Sequence, residues 1–278
     1  MRIGITVFLT DGGIDPVALA RAVEARGFDS LYLPEHTHLP VRAAEPPGLV
    51  EGVRLEDYRR GLDPLLALSM AAAVTDRIRL GTGVLLVAQH DAIGLAKQIA
   101  TLDHCSGGRF VLGIGYGWNR AEAADHGVDF SDRRELVAEK LGVMQALWSQ
   151  EEASFAGELV TLEPAYAWPK PVQRPRVRTL IGGGAGPKLF GAIASHADGW
   201  LPIGGSGLSD HLPRLAEAWR AAGREGKPSV VPFGVVPSAG KLRHYAELGC
   251  DEIVLRVPMG DERSVLAVLD EHARLVGI

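Results

Sequence analysis

Cysteine is nearly absent from this chain, with only Cys105 and Cys250. Two thiols in apolar helical surroundings exclude a disulfide-stapled secreted scaffold and fit a reducing compartment. Long apolar runs are missing too. No stretch reaches the roughly 18 uninterrupted apolar residues of a membrane helix. The start, MRIGITVFLTDGG, has one basic residue and too short an apolar run for a signal peptide. Excess positive charge is lacking: 34 acids face 29 bases, a formal charge of −5, so no nucleic-acid footprint is expected. No short-period repeat or low-complexity tract offers a linker between separate domains. No GxGxxG opens the chain, and Walker spacing is absent. These absences leave a cytoplasmic globular protein with no nucleic-acid or membrane partner.

What the chain has in quantity is glycine, 34 residues, within a sequence that is 46% hydrophobic. The glycines matter most between Arg77 and Glu122. Ile78–Val84 and Phe110–Ile114 are Val-, Ile- and Leu-rich runs bounded by Gly, the pattern of buried strands. Between them Ile93, Ala96, Lys97, Ile99, Ala100 and Leu102 recur at helical spacing. The unit is strand, crossover helix, parallel strand. Gly81, Gly83, Gly113, Gly115 and Gly117 fall at the carboxyl ends of its strands, the rim where α/β proteins bind ligands.

The same alternation runs through the chain. Further strands are expected at Arg2–Phe8, Ser30–Pro34, Val177–Ile181, Gly199–Pro202, Val230–Val235 and Glu252–Val257. Helices are expected from Pro16 to Arg26, Asp63 to Thr75, Asn119 to Asp125, Asp132 to Trp148, Pro187 to Ser195, Asp210 to Ala222, Ala239 to Leu248 and Glu262 to Val276. A connection spans about 35–61. An excursion over about 150–175 holds a hairpin pinned by Gly157 and a proline-spaced return. Eight strands alternating with helices over 278 residues give an α/β chain folded as a single (β/α)8 TIM barrel. An open doubly wound sheet usually has fewer strands.

Three motifs could carry chemistry. Glu35-His36-Thr37-His38 follows the second strand, and a histidine there can move a proton at physiological pH. His36-x-His38 also matches a metal-dependent barrel hydrolase, because residues two apart on a strand face one way. That reading requires ligands after later strands, where the chain offers Gly182–Gly184, Pro202-Ile203-Gly204 and Pro258-Met259. Metal ligands are therefore not expected. Gly182-Gly183-Gly184 leads from a strand into a helix opened by Pro187, a geometry suited to phosphate. Tyr116 and Trp118 could wall a pocket, with Asn119 capping the next helix. The pairs Asp132/Arg133 and Glu135/Lys140 read as solvated helix faces.

On these residues the chain resembles the luciferase-like monooxygenase superfamily, specifically its deazaflavin (coenzyme F420)-dependent oxidoreductases. GFDSLYLPEH (27–36), RIRLGTGV (77–84), the long block 95–122, HGVDF at 126–130 with Arg133, and LIGGG through the ASHADGWLP segment to 202 carry the likeness. It implies a barrel with cofactor and small-molecule substrate at the carboxyl rim, commonly as a homodimer. It places Gly83-Val84 at a bulge under the tricyclic ring, often a non-proline cis peptide, and Glu35 at an acidic position that contacts the ring system. His36 falls on a histidine proposed as catalytic. Gly115, Tyr116 and Gly117 fall along the ring edge, and Gly182, Gly183 and Gly184 on the phosphate turn. Where sugar-phosphate dehydrogenases of this group carry a glutamate after Gly-x-Gly, this chain has Trp118, so the proton donor used there is absent.

The resemblance favours coenzyme F420 over FMN, and with it hydride transfer to or from a small organic substrate. The alternative is a monooxygenase using reduced FMN. The deazaflavin adds an acidic oligoglutamate tail, which suits nearby Arg or Lys. Arg42, Arg54, Arg59 and Arg60 in the 35–61 connection are balanced by Glu45, Glu51, Glu56 and Asp57.

Overall fold

The computed structural model describes residues 1–42 and 55–278. Its elements in chain order are β1 (Arg2–Thr6), α1 (Pro16–Ala25), β2 (Ser30–Leu33), α2 (Pro64–Ala72), β3 (Arg79–Thr82), α3 (Ala92–Cys105) and β4 (Phe110–Ile114). Then come α4 (Arg120–Asp125), α5 (Arg133–Ser149), β5 (Ala153–Ala156), β6 (Thr161–Ala165), β7 (Thr179–Gly182), α6 (Pro187–His196) and β8 (Gly199–Leu201). The chain finishes with α7 (Leu208–Ala221), β9 (Ser229–Val230), β10 (Phe233–Val235), α8 (Ala239–Glu247), β11 (Glu252–Arg256) and α9 (Glu262–Val276).

Local chemistry sets most helix starts. Asp15, Asp63, Asp91, Asn119, Ser238 and Asp261 each accept a backbone N–H at the head of their helix, and Pro16 and Pro64 follow the first two. The strands pair in parallel in the order β10-β11-β1-β2-β3-β4-β7-β8-β9. β9 and β10 are two pieces of one strand. Pro232 has no N–H to give the ladder, so the expected strand Val230–Val235 breaks there. The pieces pair with β8 and β11 respectively, and the chain between them closes the barrel. β5 and β6 form the expected hairpin outside it.

Side chains fill the interior. Tyr32, Val111, Leu180, Leu201, Val231, Phe233 and Val254 pack as one cluster, with half-buried Val84 against it. Helices cover the outside through a second, larger core. The barrel is thus a plugged cylinder with no open bore. At the amino end, fully buried Glu252 bonds Ser30 and lies 3.8 Å from Arg2 and Arg79. No described helix is long and apolar enough to cross a membrane.

Candidate active site

The three glycine clusters converge on Val84. β3 pairs with β4 as far as Gly81, steps out through a cis Gly83–Val84 peptide, and rejoins it at Leu85. Leu85 donates to the Gly113 carbonyl, and the Gly115 N–H returns to Leu85. A Cβ on Gly115 would lie 2.4 Å from the Val84 side chain, and one on Gly182 would lie 2.9 Å from it. Only bare backbone lets β4 and β7 close around this bulge. Val84 therefore presents its side chain at the mouth, flanked by Gly115 and Gly182.

Beyond Gly182 the chain turns through Gly183 at φ +140° into α6. Trp200 fixes the turn by donating Nε1–H to the Gly183 carbonyl at 3.0 Å. Open space surrounds a Cβ built on Gly184 or Gly186. α6 begins without a side-chain cap, so its first amides and its positive end face this space unpaired by any side chain.

Glu35 is buried, and both its oxygens are committed. One accepts from the Leu86 amide at 2.6 Å, and the other bonds His90 Nε2 at 2.7 Å. From the other side Lys140 donates to the carbonyls of Ala88 and His90, which departs from the solvated pairing with Glu135 that the sequence suggests. Segment 84–90 is thus tied at both ends. Burial of the His90 ring opposes its charged form, but the bond to Glu35 and that carboxylate's charge outweigh burial and raise its pKa. Burial lowers the Lys140 pKa.

His36 has a partner that sequence reasoning missed. Its Nδ1 lies 2.9 Å from Glu122 Oε2, and Glu122 Oε1 accepts the Thr37 amide at 3.2 Å. Glu122 is fully buried on the short helix α4, whose start Asn119 caps through the Ala121 and Glu122 amides. A carboxylate on Nδ1 holds the proton there and leaves Nε2 without a described protein partner. Around the imidazole stand Tyr58, at a ring-centroid distance of 4.7 Å, and Trp118 at 5.6 Å. Phe8 extends the wall beyond Tyr58. Trp118, read as either wall or packing, belongs to this aromatic shell. Burial, then nearby Asp57, raises the Tyr58 phenol pKa, so it stays protonated. Next to it, past the ends of β1 and β11, opens a cavity of about 300 Å³ lined by Thr10, Asp57, Met259 and Asp261.

His38 does not join His36 as a ligand pair. Its Nε2 bonds Asp125 at 3.0 Å and its Nδ1 faces the Thr37 hydroxyl, which also meets His126. Among the described residues no group of three His, Cys, Asp or Glu is arranged to hold a metal. In the 35–61 connection, Arg60 pairs with Asp11 at 2.7 Å, while Glu45, Glu51 and Arg54 lie outside the described residues.

The fold is thus a closed parallel α/β barrel with a bulge, a glycine turn and a histidine on one rim. The chain belongs to the luciferase-like monooxygenase family, whose model matches residues 14–264. It is 46% identical over 261 residues to an uncharacterised protein of Mycobacterium tuberculosis, covering 93% of this chain and 92% of that one. It is 31% identical over 209 residues to the F420-dependent glucose-6-phosphate dehydrogenase of Kineococcus radiotolerans, covering 72% of this chain and 57% of that protein. The monooxygenase RslO1 from Streptomyces bottropensis shares the fold, with TM-score 0.80, 19% identity and coverage of 99% and 98%.

Proposed function

We propose that this protein is a deazaflavin (coenzyme F420)-dependent oxidoreductase that moves hydride to or from a small organic substrate. The observation that carries the reading is the convergence of Gly115 and Gly182 on Val84, beside an uncapped glycine turn and a carboxylate-held histidine. A flat tricyclic ring fits on Val84 between bare backbone. Tyr116 and Gly117 border its edge, and a phosphate fits the turn at Gly182, Gly183 and Gly184. Glu35 supports that seat indirectly, by holding segment 84–90 in place. The likeness to an F420-dependent dehydrogenase favours the deazaflavin over FMN.

A bound deazaflavin supplies or accepts the hydride. The protein's share is positioning and proton transfer. Glu122 fixes the His36 tautomer, so Nε2 accepts the proton of a substrate hydroxyl as its carbon is oxidised, or returns one when a carbonyl is reduced. Tyr58, Trp118 and Phe8 exclude water around that nitrogen. Trp118 stands where sugar-phosphate dehydrogenases of this group carry a glutamate. A homodimer is part of the same reading. The outer face of α2 carries no charge and exposes Leu66 (69%) and Met70 (44%), with Ile93 (51%) of α3 alongside.

Titration of the purified protein with oxidised deazaflavin and with FMN, followed by fluorescence quenching, tests the cofactor. Saturable deazaflavin binding at least about tenfold tighter than FMN is expected. Tight FMN binding with none of the deazaflavin would replace this reading with the reduced-flavin monooxygenase.

A further inference from the structure

Three arginines gather at the edge of the mouth. The Arg133 and Arg120 guanidiniums lie 3.6 and 4.2 Å from the centre of the Phe130 ring, and that of Arg134 lies 4.3 Å from the centre of the Tyr116 ring. Aromatic faces hold these cations in place without neutralising them. Acids are near in sequence, yet among the described residues no carboxylate comes within ion-pair distance of any of the three. Asp129 instead accepts the Ser131 amide and hydroxyl through one oxygen. Arg133 donates one N–H to the Phe130 carbonyl, while its Nε–H is buried without a partner. Burial and then repulsion from Arg134 and Arg120 hold its pKa below the usual arginine value.

The helix beneath adds to the positive field. α5 is 17 residues long, and Asp132 at its head makes no side-chain cap bond. Its positive end usually attracts acids, and Glu135 does stand in its first turn, yet Arg133 and Arg134 occupy its first two positions. An arrangement that is unfavourable in isolation becomes favourable when an anion sits against it.

The register of the barrel sets this patch beside the glycine turn. Ile114 of β4 pairs with Ile181 of β7, so Tyr116 and Gly183 each leave the barrel two residues past a paired position. A chain that continues outward from a phosphate in the Gly183 turn passes the neighbouring Tyr116 strand end, where Arg134 waits. We propose that Arg120, Arg133 and Arg134 form the seat of a polycarboxylate chain, the acidic oligoglutamate tail of the deazaflavin cofactor. The inference rests on the cofactor reading above. It also separates the two cofactors, because FMN ends at its phosphate. The 35–61 connection, the obvious source of bases from sequence, is not where this patch lies.

The test compares affinities of four ligands by fluorescence quenching: the deazaflavin with a long glutamate tail, with a short one, the form ending at the phospholactate, and the bare deazaflavin nucleoside. Wild type is set against the Arg120→Gln/Arg134→Gln double variant, which leaves the half-buried Arg133 and its bond to Phe130 in place. Wild-type affinity should rise with glutamate number and weaken as salt increases. The double variant should lose about tenfold for the long tail and nothing for the nucleoside. Equal affinity for every tail length, or an equal loss across all four ligands, overturns the tail seat while leaving the ring seat intact. Failure of all four to bind rejects the cofactor itself, and the tail seat with it. Thermal melts of the variant confirm that the fold is retained.

Discussion

The proposed proton transfer turns on His36 and Glu122. They lie 86 positions apart in the chain and 2.9 Å apart in space, both shielded from water. His36→Ala should lower turnover by about 10²–10⁴ while deazaflavin affinity changes little, since the ring seat is built from other residues. Unchanged turnover would remove His36 from the mechanism. Glu122 touches neither ring nor substrate and acts by positioning. Glu122→Gln should therefore lower kcat by about tenfold or more with KM nearly constant, and Glu122→Asp should recover part of it. A variant that changed only KM would contradict that role. The sequence made His36 visible, because it follows a strand end beside Glu35. It could not show Glu122, because nothing local marks which face of a six-residue helix meets a loop far earlier in the chain. Arg133 was hidden for the same reason: beside Asp132 it looks like half of a surface pair, and only the fold turns it onto Phe130.

Among the elements, segment 84–90 is the one most carefully held. Glu35 and His90 grip it from below, and Lys140 of α5 grips it from the side. The His90–Glu35 bond predicts a pH signature. Because the folded-state pKa of His90 is raised, the stabilisation is full below the unfolded histidine value of about 6.5 and is lost as pH rises through the folded value. The melting temperature of wild type should exceed that of His90→Gln by more at pH 6 than at pH 9. A constant difference across that range would contradict the linkage. Most elements were legible because their signals are local. Asp15-Pro16 and Asp63-Pro64 mark helix starts, Asn119 caps α4, and α9 runs over Glu262–Val276 as its periodicity indicates. The seventh strand was read as one piece because its residues are β-forming throughout, although Pro232 cannot pair. Lys140 was misjudged for a different reason. A helix-spaced acid looks like its partner until the fold brings two carbonyls closer.

At the scale of the whole molecule, the barrel works as a plugged pedestal. Phe233, Leu201 and Val254 fill its interior, leaving Val84 and the glycine strand ends as the floor of the mouth. Eight alternating units made this closure readable from sequence, and the convergence of the glycine clusters follows from it. The uncharged α2 face predicts association on the outer wall. Light scattering should give about twice the chain mass of 29.7 kDa, falling to a single chain in Leu66→Arg/Met70→Arg. A dimer unaffected by both substitutions would place the interface elsewhere. The central claim, that Val84 and the turn after β7 together seat one ring-plus-phosphate cofactor, has a direct test in Gly184→Leu. A Cβ there meets nothing within 4 Å, so the protein should fold and melt as wild type does. The same side chain would fill the turn proposed to hold the phosphate. Fluorescence titration should show deazaflavin affinity reduced by about 10²-fold or more against an unchanged melting temperature. Wild-type affinity in that variant would contradict the account.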